Sequence, residues 1–194
     1  MNGRDETSTS TKATGDGMHD ESSSICVGCA LCCDGTLFAH VNLQRDERPD
    51  TRRAVRVALH DDGSDSMLMQ PCSCSVEGRC TIYEDRPRTC RAYRCSLLQR
   101  LEAGETTSAE ARAVIQRTKA RRDAVLPLLR TEVPNGQTMG FFRLHRELHA
   151  RCDLADDPVA ARADIAPLLL LTGAVHAQLV RSFYTASDHA EAGS

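Results

Sequence analysis

Nine of the ten cysteines of this 194-residue chain lie between Cys26 and Cys95, a stretch of 70 residues. Cysteine makes up about 13% of that stretch, a density typical of regions that are held together by disulfides or by metal. The first 24 residues, MNGRDETSTSTKATGDGMHDESSS, contain neither the basic segment nor the apolar segment of a secretory signal peptide. We therefore predict a cytoplasmic protein. In that reducing compartment clustered thiols usually bind metal or undergo redox chemistry, so metal is favoured over disulfides.

The composition argues against two classes of partner. The best apolar run, 165–171, directly follows Asp164 and is far shorter than the ~18 residues of a membrane-spanning helix. The net charge is −3 and the chain has no Trp. It therefore offers neither the positive surface nor the aromatic platforms of a nucleic-acid-binding protein. We expect a metal ion or cluster as the ligand, no membrane and no nucleic acid, and leave a protein partner open.

The chain divides by composition into four regions. Residues 1–24 contain only Met18 as a large apolar residue, so we predict a disordered N-terminal tail. Residues 25–104 form the cysteine-cluster metal-binding region, residues 105–185 a helical region, and residues 186–194 a flexible C-terminal tail. The predicted fold class is α+β, in which a small cysteine-rich half of strands and loops packs on a C-terminal helical half.

Alternating apolar and polar residues predict three strands in the cysteine-rich half, namely Thr36–Leu43, Thr51–His60 and Ser66–Gln70. The sequence Asp-Asp-Gly-Ser at 61–64 predicts a turn between the second strand and the third. A second cysteine-rich loop, Pro71–Cys80, follows the third strand.

The remainder of the chain has helical patterns. We predict a helix over 85–102 that Pro87 helps to start and Gly104 ends. A helix that starts near Ser108 should kink or end near Leu126, because Pro127 cannot donate the next backbone hydrogen bond. Two further helices are predicted over Thr138–Cys152 and Pro158–Tyr184, the last interrupted by Pro167 and Gly173.

The first cysteines have the spacing Cys26-x-x-Cys29-x-x-Cys32-Cys33. Zinc sites usually take their thiolates from separate Cys-x-x-Cys pairs, whereas three cysteines at this spacing are typical of a loop around a cubane iron–sulfur cluster. An iron–sulfur cluster is therefore the preferred cofactor and Zn²⁺ the alternative. Because adjacent side chains of extended backbone point to opposite faces, we predict that Cys32 and Cys33 serve different metals or different irons.

Further thiols and several arginines follow between residues 72 and 95. Cys90 and Cys95 are five residues apart on the predicted helix, so their side chains diverge unless that helix unwinds. Four thiolates around a 2+ centre leave a net charge of about −2, which arginines can offset through charge-assisted hydrogen bonds. A solvated helix face explains them equally well. The arginines are Arg79, Arg86, Arg88, Arg91 and Arg94.

These residues together resemble a known family. The Cys-x-x-Cys-x-x-Cys-Cys motif, Pro71-Cys72, and the string Gly-Arg-Cys-Thr-Ile-Tyr-Glu-x-Arg-Pro-x-x-Cys-Arg-x-x-x-Cys at 78–95 are similar to the YkgJ-type cysteine-cluster family. Its members are described as zinc- or iron-chelating proteins. The resemblance implies eight metal ligands: Cys26, Cys29, Cys32, Cys33, Cys72, Cys80, Cys90 and Cys95. Cys74 and Cys152 lie outside the pattern, and Ala30 stands where the family often has Gly.

Two alternatives to a purely metal-binding role stay open. The family includes a flagellin lysine N-methylase, an iron–sulfur protein that uses S-adenosylmethionine, so the resemblance allows a similar iron–sulfur-dependent enzyme. This chain lacks a glycine-rich strand-to-helix turn that would mark a separate cofactor domain. The second alternative is a thiol redox switch, with Cys32-Cys33 or Cys72-Cys74 as its reactive pair.

Two further groups have both a functional and a structural explanation. His145 and His149 share a face of a predicted helix with Cys152 and could bind metal, although such histidines are more often surface or interface residues. Tyr83 and Glu84 lie beside the thiols, yet packing and a helix start explain them more simply. Since no nucleophile–base pair is recognisable, we assign no catalytic residue.

Overall fold

The computed structural model describes residues 25–44 and 66–188. The predicted N-terminal tail, the predicted strand Thr51–His60 with its turn, and residues 189–194 of the predicted C-terminal tail lie outside these ranges. The described residues confirm the α+β class, with small antiparallel strand pairs in the first half and helices in the second.

The cysteine-rich half contains two short antiparallel pairs of strands. Strand β1 (His40–Leu43) pairs with β2 (Ser66–Met69), so that His40 lies opposite Met69. The strand predicted over 66–70 is thus confirmed. The one predicted over 36–43 begins only at His40, because the Thr36 and Leu37 amides donate instead to the Asp34 side chain and the Leu31 carbonyl.

A second pair of strands lies inside the predicted cysteine loop. Strand β3 (Ser75–Val76) pairs with β4 (Arg79–Cys80) through a two-residue turn, Glu77-Gly78, in which both residues have positive φ. Such a turn matches the twist of a tight hairpin. The sequence analysis did not predict this hairpin, which directs Cys80 back toward Cys72.

The single helix predicted over 85–102 is wrong, because the structure has two helices there. Helix α1 (Arg88–Ala92) follows Pro87, its N-cap residue, and helix α2 (Ser96–Glu102) follows Cys95. Between them Tyr93 and Cys95 adopt extended backbone, with ψ of 130° and 160°. The Tyr93 ring packs edge-on against Phe38 at 5.0 Å between centroids, a long-range contact that favours the break.

Helix α3 (Ser108–Glu132) is the longest described element. Thr107 caps it, and Thr107 and Glu110 form a reciprocal capping box. The expectation that Pro127 could end this helix is wrong, since the helix continues to Glu132. The next turn carries Leu129, which is fully buried in the core, and this burial offsets the hydrogen bond that the proline lacks.

The last helices follow the predicted order with shifted boundaries. A 3₁₀ turn (Gly136–Thr138) precedes helix α4 (Phe141–Asp153), so the helix begins three residues later than predicted. Helices α5 (Pro158–Asp164) and α6 (Ala166–Ser182) are separated at Ile165, close to the break predicted at Pro167. The interruption predicted at Gly173 is wrong, because α6 continues through it.

One hydrophobic core joins the two halves of the molecule. Leu31 and Leu37 from the first cysteine loop pack in the same cluster as Leu129, Leu144 and Leu179 from the helices. A second, small cluster consists of Leu43, Leu68 and Cys74. Within the described ranges no single helix has both the length and the apolar character of a membrane span; α5 and α6 would qualify only as a pair, between which the chain bends by 82°.

Candidate metal centre

The first cysteine loop is a chain of tight turns. The Cys26 carbonyl accepts from the Cys29 amide at 3.2 Å, and the Ala30 carbonyl accepts from the amides of Cys33 and Asp34, each at 2.8 Å. Gly28 and Ala30 have positive φ, 91° and 59°. Successive reversals of this kind bring thiols three residues apart toward one side of the loop.

All eight cysteines that match the family motif line one cavity of about 1020 Å³. Apolar side chains such as Phe38, Leu68 and Ile82 form much of the remaining wall. The two cysteines outside the motif do not line it: Cys74 is buried in the small cluster beside β2, and Cys152 is buried on α4. The ten cysteines, all of which lie in the described ranges, form no disulfide bond.

Four of the eight thiols form what we call the first group. It consists of Cys26, Cys29, Cys32 and Cys95. The charges of Cys29, Cys95, Cys33 and Cys26 act on the Cys32 thiol, and those of Cys95 and Cys26 act on the Cys29 thiol. The break between α1 and α2 supplies Cys95, which lies at the N-terminal end of α2 and packs beside Cys29 and Cys32 against the main core.

The other four thiols form the second group: Cys33, Cys72, Cys80 and Cys90. The charges of Cys72, Cys90 and Cys80 act on the Cys33 thiol. The Cys72 amide donates to the Cys33 carbonyl at 2.7 Å, which holds the two cysteine loops side by side. Four separate segments of chain therefore contribute to this group: the first loop, the second loop, β4 and α1.

Neighbouring cysteines thus belong to different groups at two places. Cys33 acts on the adjacent Cys32 thiol, yet the strongest thiol neighbours of Cys32 are Cys29 and Cys95. Those of Cys33 are Cys72, Cys90 and Cys80. Cys90 and Cys95 are separated in the same way, because the chain leaves the helix between them. That Cys32 and Cys33 serve different metals or different irons stays a prediction.

Burial raises the pKa of several thiols in this cavity. Burial, together with the neighbouring thiols, raises the pKa of Cys29 and of Cys33 to about 12 each. The pKa of Cys72 and of Cys95 rises to about 11, again mainly by burial. Thiolate formation in this cavity therefore requires a compensating cation, which a bound metal supplies. Reactive thiols have lowered pKa values, so the raised values disfavour a redox switch at Cys32-Cys33.

The thiols are grouped but are not drawn together to coordination distance. In the described part of the chain, no three side chains of His, Cys, Asp or Glu are arranged so that they could hold a metal ion as they stand. Metal binding at either group thus requires its sulfur atoms to move closer together. The donor set itself fits a thiophilic metal, since four thiols are the ligand complement of a zinc site or of a cubane cluster.

Arginines lie unevenly around the cavity. Arg94 and Arg86 lie near the Cys26 thiol, where their charges oppose the effect of burial, which raises its pKa. The Arg86 guanidinium stacks 3.7 Å from the Tyr83 ring and donates to the Tyr83 carbonyl, while Arg94 pairs with Glu102. Two of the five predicted arginines, Arg86 and Arg94, therefore lie where they can offset thiolate charge at Cys26.

Tyr93 and Asp188 line the cavity and were missed by the sequence analysis. The Tyr93 hydroxyl donates to the Asp188 carboxylate at 3.1 Å, and this carboxylate also accepts from the Thr185 amide and hydroxyl. Burial and the neighbouring charges of Cys32 and Asp188 raise the pKa of Tyr93 well above its ordinary value. A contact across 95 residues leaves no local signal in a sequence.

The histidines form a cluster away from the thiols. The His145 ring lies 4.6 Å from His149 and 4.9 Å from His176, centroid to centroid, and stacks on Phe141. None of these rings lines the cysteine cavity. The idea that His145 and His149 join the thiolates is therefore not supported, and the sequence analysis missed His176 as the third member.

Comparison with known proteins gives one match. Residues 25–119 match the family model CxxCxxCC, described as a "Putative zinc- or iron-chelating domain". Searches of curated proteins and of solved structures found no match. The matched range includes both thiol groups and ends within α3 at Lys119, beyond the predicted boundary at residue 104.

Proposed function

We propose that this protein holds two metal centres through eight thiolates, because residues 25–119 match the CxxCxxCC family of zinc- or iron-chelating domains, as the motif resemblance had indicated. The first group, Cys26, Cys29, Cys32 and Cys95, would hold one centre. The second group, Cys33, Cys72, Cys80 and Cys90, would hold the other. The observation that carries the proposal is that all eight cysteines of the motif line one cavity. The strongest thiol neighbours there are Cys29 and Cys95 for Cys32, and Cys72 and Cys90 for Cys33, which supports two sets of four.

We further propose that the first centre is an iron–sulfur cluster rather than zinc. Three of its ligands come from one Cys-x-x-Cys-x-x-Cys loop and the fourth from a distant cysteine, a distribution that is typical of cubane clusters. Zn²⁺ is the alternative at both groups, and the scattered origin of the second group is compatible with either metal. We place the protein in the cytoplasm, where a reducing environment keeps such thiols available.

The surroundings of the first group suit a negatively charged centre. Four thiolates around a 2+ core leave about −2, and Arg86 and Arg94 lie close enough to offset this charge. An iron–sulfur cluster, when bound, would supply one-electron redox chemistry.

Anaerobic purification followed by elemental analysis and visible spectroscopy tests the proposal. We expect iron with acid-labile sulfide, and a broad absorption band from sulfur-to-iron charge transfer. A colourless protein that contains zinc alone would replace the cluster by zinc and retain the two centres. A reduced protein that takes up neither metal would contradict metal binding itself.

Alanine substitutions test the ligand assignment. Cys29→Ala should lower the metal content of the first group and Cys80→Ala that of the second, each by about one centre per chain. Cys152→Ala is the matched control, because this thiol is buried on α4 away from the cavity. Equal loss in all three variants would contradict the assignment.

The arrangement counts against the other two functions. A methylase-like iron–sulfur enzyme needs an iron position that no protein thiolate occupies, and four thiols in each group leave none free. A thiol switch needs a thiol that ionises readily, which burial opposes here. We therefore propose a metal-binding role without assigning a substrate.

A further inference from the structure

A buried arginine of the helical half contacts the end of the first cysteine loop. Arg122 on α3 is only 9% exposed. Its guanidinium pairs with the Asp34 carboxylate and donates to the Thr36 hydroxyl at 2.8 Å. The second oxygen of Asp34 accepts from the Thr36 amide at 2.9 Å. Arg122 thus fixes the turn that immediately follows Cys33.

A lysine one turn earlier on the same helix contacts the start of that loop. The Lys119 ammonium donates to the Gly28 carbonyl at 3.1 Å. It also lies close to Gly78, in the turn of the β3–β4 hairpin that precedes Cys80. Lys119 therefore joins the turn before Cys29 to the hairpin of the second loop.

The two contacts enclose the segment that carries three of the eight thiols. Between Gly28 and Asp34 lie Cys29, Cys32 and Cys33, and their directions are determined by how this short segment is held at its ends. We infer that Arg122 and Lys119 are positioning residues for the two proposed metal centres, Arg122 chiefly for the second group and Lys119 chiefly for the first. This inference rests on the proposed function.

Charge makes the Arg122 contact difficult to replace. Asp34 is about one quarter exposed, and its carboxylate has no other described cationic partner. Without the guanidinium a partly buried carboxylate would remain uncompensated beside thiolates of the same sign, which opposes the observed turn. Hydrogen-bonding partners around metal ligands typically change metal affinity 10- to 100-fold when removed.

Cadmium-113 NMR of the full chain tests the inference, because each tetrathiolate cadmium site gives its own resonance. Cys95→Ser and Cys90→Ser assign the resonances to the first and second groups. Competition with a chelator then gives an affinity for each site. We expect Arg122→Met to weaken the second site about 10-fold and the first site less, and Lys119→Met to show the reverse order.

Arg121→Met is the matched control, since Arg121 is exposed on the same helix and donates to Gln178. It should leave both cadmium affinities within about twofold of those of the unmodified chain, because it removes the same charge away from the loop. Arg122→Lys should restore part of the affinity lost in Arg122→Met. Unchanged far-UV circular dichroism separates positioning from general unfolding, and Lys119→Met keeps the test available if Arg122→Met does not fold.

The outcomes separate the two proposals. An unmodified chain with no tetrathiolate resonance contradicts the proposed function. Two resonances in the unmodified chain, with affinities that neither Arg122→Met nor Lys119→Met changes, contradict the positioning role alone. If both variants weaken cadmium binding equally at both sites, the assignment of one positioning residue to each group is contradicted.

Discussion

Ala30 lies in the left-handed region at the centre of the first cysteine loop, with φ of 59°. A residue with a Cβ atom is strained there, by roughly 1 kcal/mol. The carbonyl of Ala30 accepts from the amides of both Cys33 and Asp34, so the turn is required by the loop. The chain therefore tolerates a local strain at the residue that orients its adjacent thiols.

We predict that Ala30→Gly stabilises the protein by up to about 1 kcal/mol, because glycine adopts this conformation without steric cost. Urea unfolding of the metal-loaded chain measures the change. Gly104 also has positive φ but lies outside the cysteine loop, so Gly104→Ala should destabilise the chain without changing its metal content. A destabilised Ala30→Gly variant would contradict the strain argument.

His145 provides a pH-dependent prediction at the same scale. Burial, with His176 and His149 nearby, lowers its pKa from 6.5 to about 4. The unfolded chain therefore binds more protons than the folded chain between these values. The stability contributed by neutral His145 is complete above pH 6.5 and is lost as the pH falls toward 4, by on the order of 2–3 kcal/mol.

Urea unfolding at pH 7 and pH 4.5 checks this prediction. His145→Phe should show a smaller loss between the two pH values, because it cannot bind a proton. It should also be at least as stable at pH 7, since the buried Nδ1 atom of His145 has no hydrogen-bond partner. An equal loss in both proteins would assign the pH dependence to other groups.

At the residue scale, the sequence predicts best those features that depend on neighbouring residues. The alternation of adjacent side chains predicts that Cys32 and Cys33 diverge, and their strongest thiol neighbours are different, Cys29 for Cys32 and Cys72 for Cys33. The Tyr93–Asp188 and Arg122–Asp34 contacts join residues about 90 positions apart. No local pattern indicates such pairs, because the fold alone brings them together.

At the scale of elements, the cysteine loop docks on the start of α4 through two glycines. A Cβ atom on Gly140 would lie 2.5 Å from the Gly35 Cα atom, and the Phe142 amide donates to the Gly35 carbonyl at 2.9 Å. Backbone contacts this close cannot accommodate a side chain without displacing one element. The close packing of the two halves therefore requires residues without a side chain at positions 35 and 140.

We predict that Gly140→Ala destabilises the protein by about 2 kcal/mol or more, because the added methyl group clashes with backbone. Gly173→Ala is the control: nothing lies within 4 Å of its Cβ position in α6, so it should stabilise by about 0.5–1 kcal/mol. Thermal unfolding compares them. Similar effects of the two substitutions would show that the Gly35–Gly140 contact is unimportant.

The sequence predicted the helix and strand boundaries that depend on local capping and turn residues. It missed the boundaries that depend on packing between distant residues. The start of α3 at Ser108 and the strand beginning at Ser66 agree with the sequence patterns. The break at 93–95 does not, because Tyr93 is drawn out by its contact with Phe38. Pro127 shows the opposite case, in which core packing maintains a helix that local chemistry disfavours.

At the scale of the whole molecule, the hydrophobic core does not follow the predicted division into halves. Leu31 and Leu37 belong to the main core with the helices, whereas Leu43, Leu68 and Cys74 form a separate, small cluster. The first loop therefore shares the stability of the helical half. The β1–β2 pair and the second loop have little apolar burial of their own, so we expect their stability to depend most on the proposed metal centres.

We predict that a chelator applied under reducing conditions loosens residues 66–90 before residues 25–37, and both before the helices. Hydrogen exchange followed by mass spectrometry measures this order, with peptides from α3 and α4 as the internal reference. Simultaneous loss of protection throughout the described ranges would show that metal and core form one cooperative unit.

The peptide bond between Cys32 and Cys33 has a consequence for the order in which the two proposed metal centres form. If each residue binds its own metal centre as proposed, the two centres are linked through a single peptide bond. The backbone hydrogen bond from the Cys72 amide to the Cys33 carbonyl further restrains this link. When the first metal binds and fixes the conformation of this peptide bond, the thiol of the neighbouring cysteine is also oriented for the second metal. Chains with only one metal centre should then be scarce during a metal titration. Loss of either metal should lower the affinity of the other site.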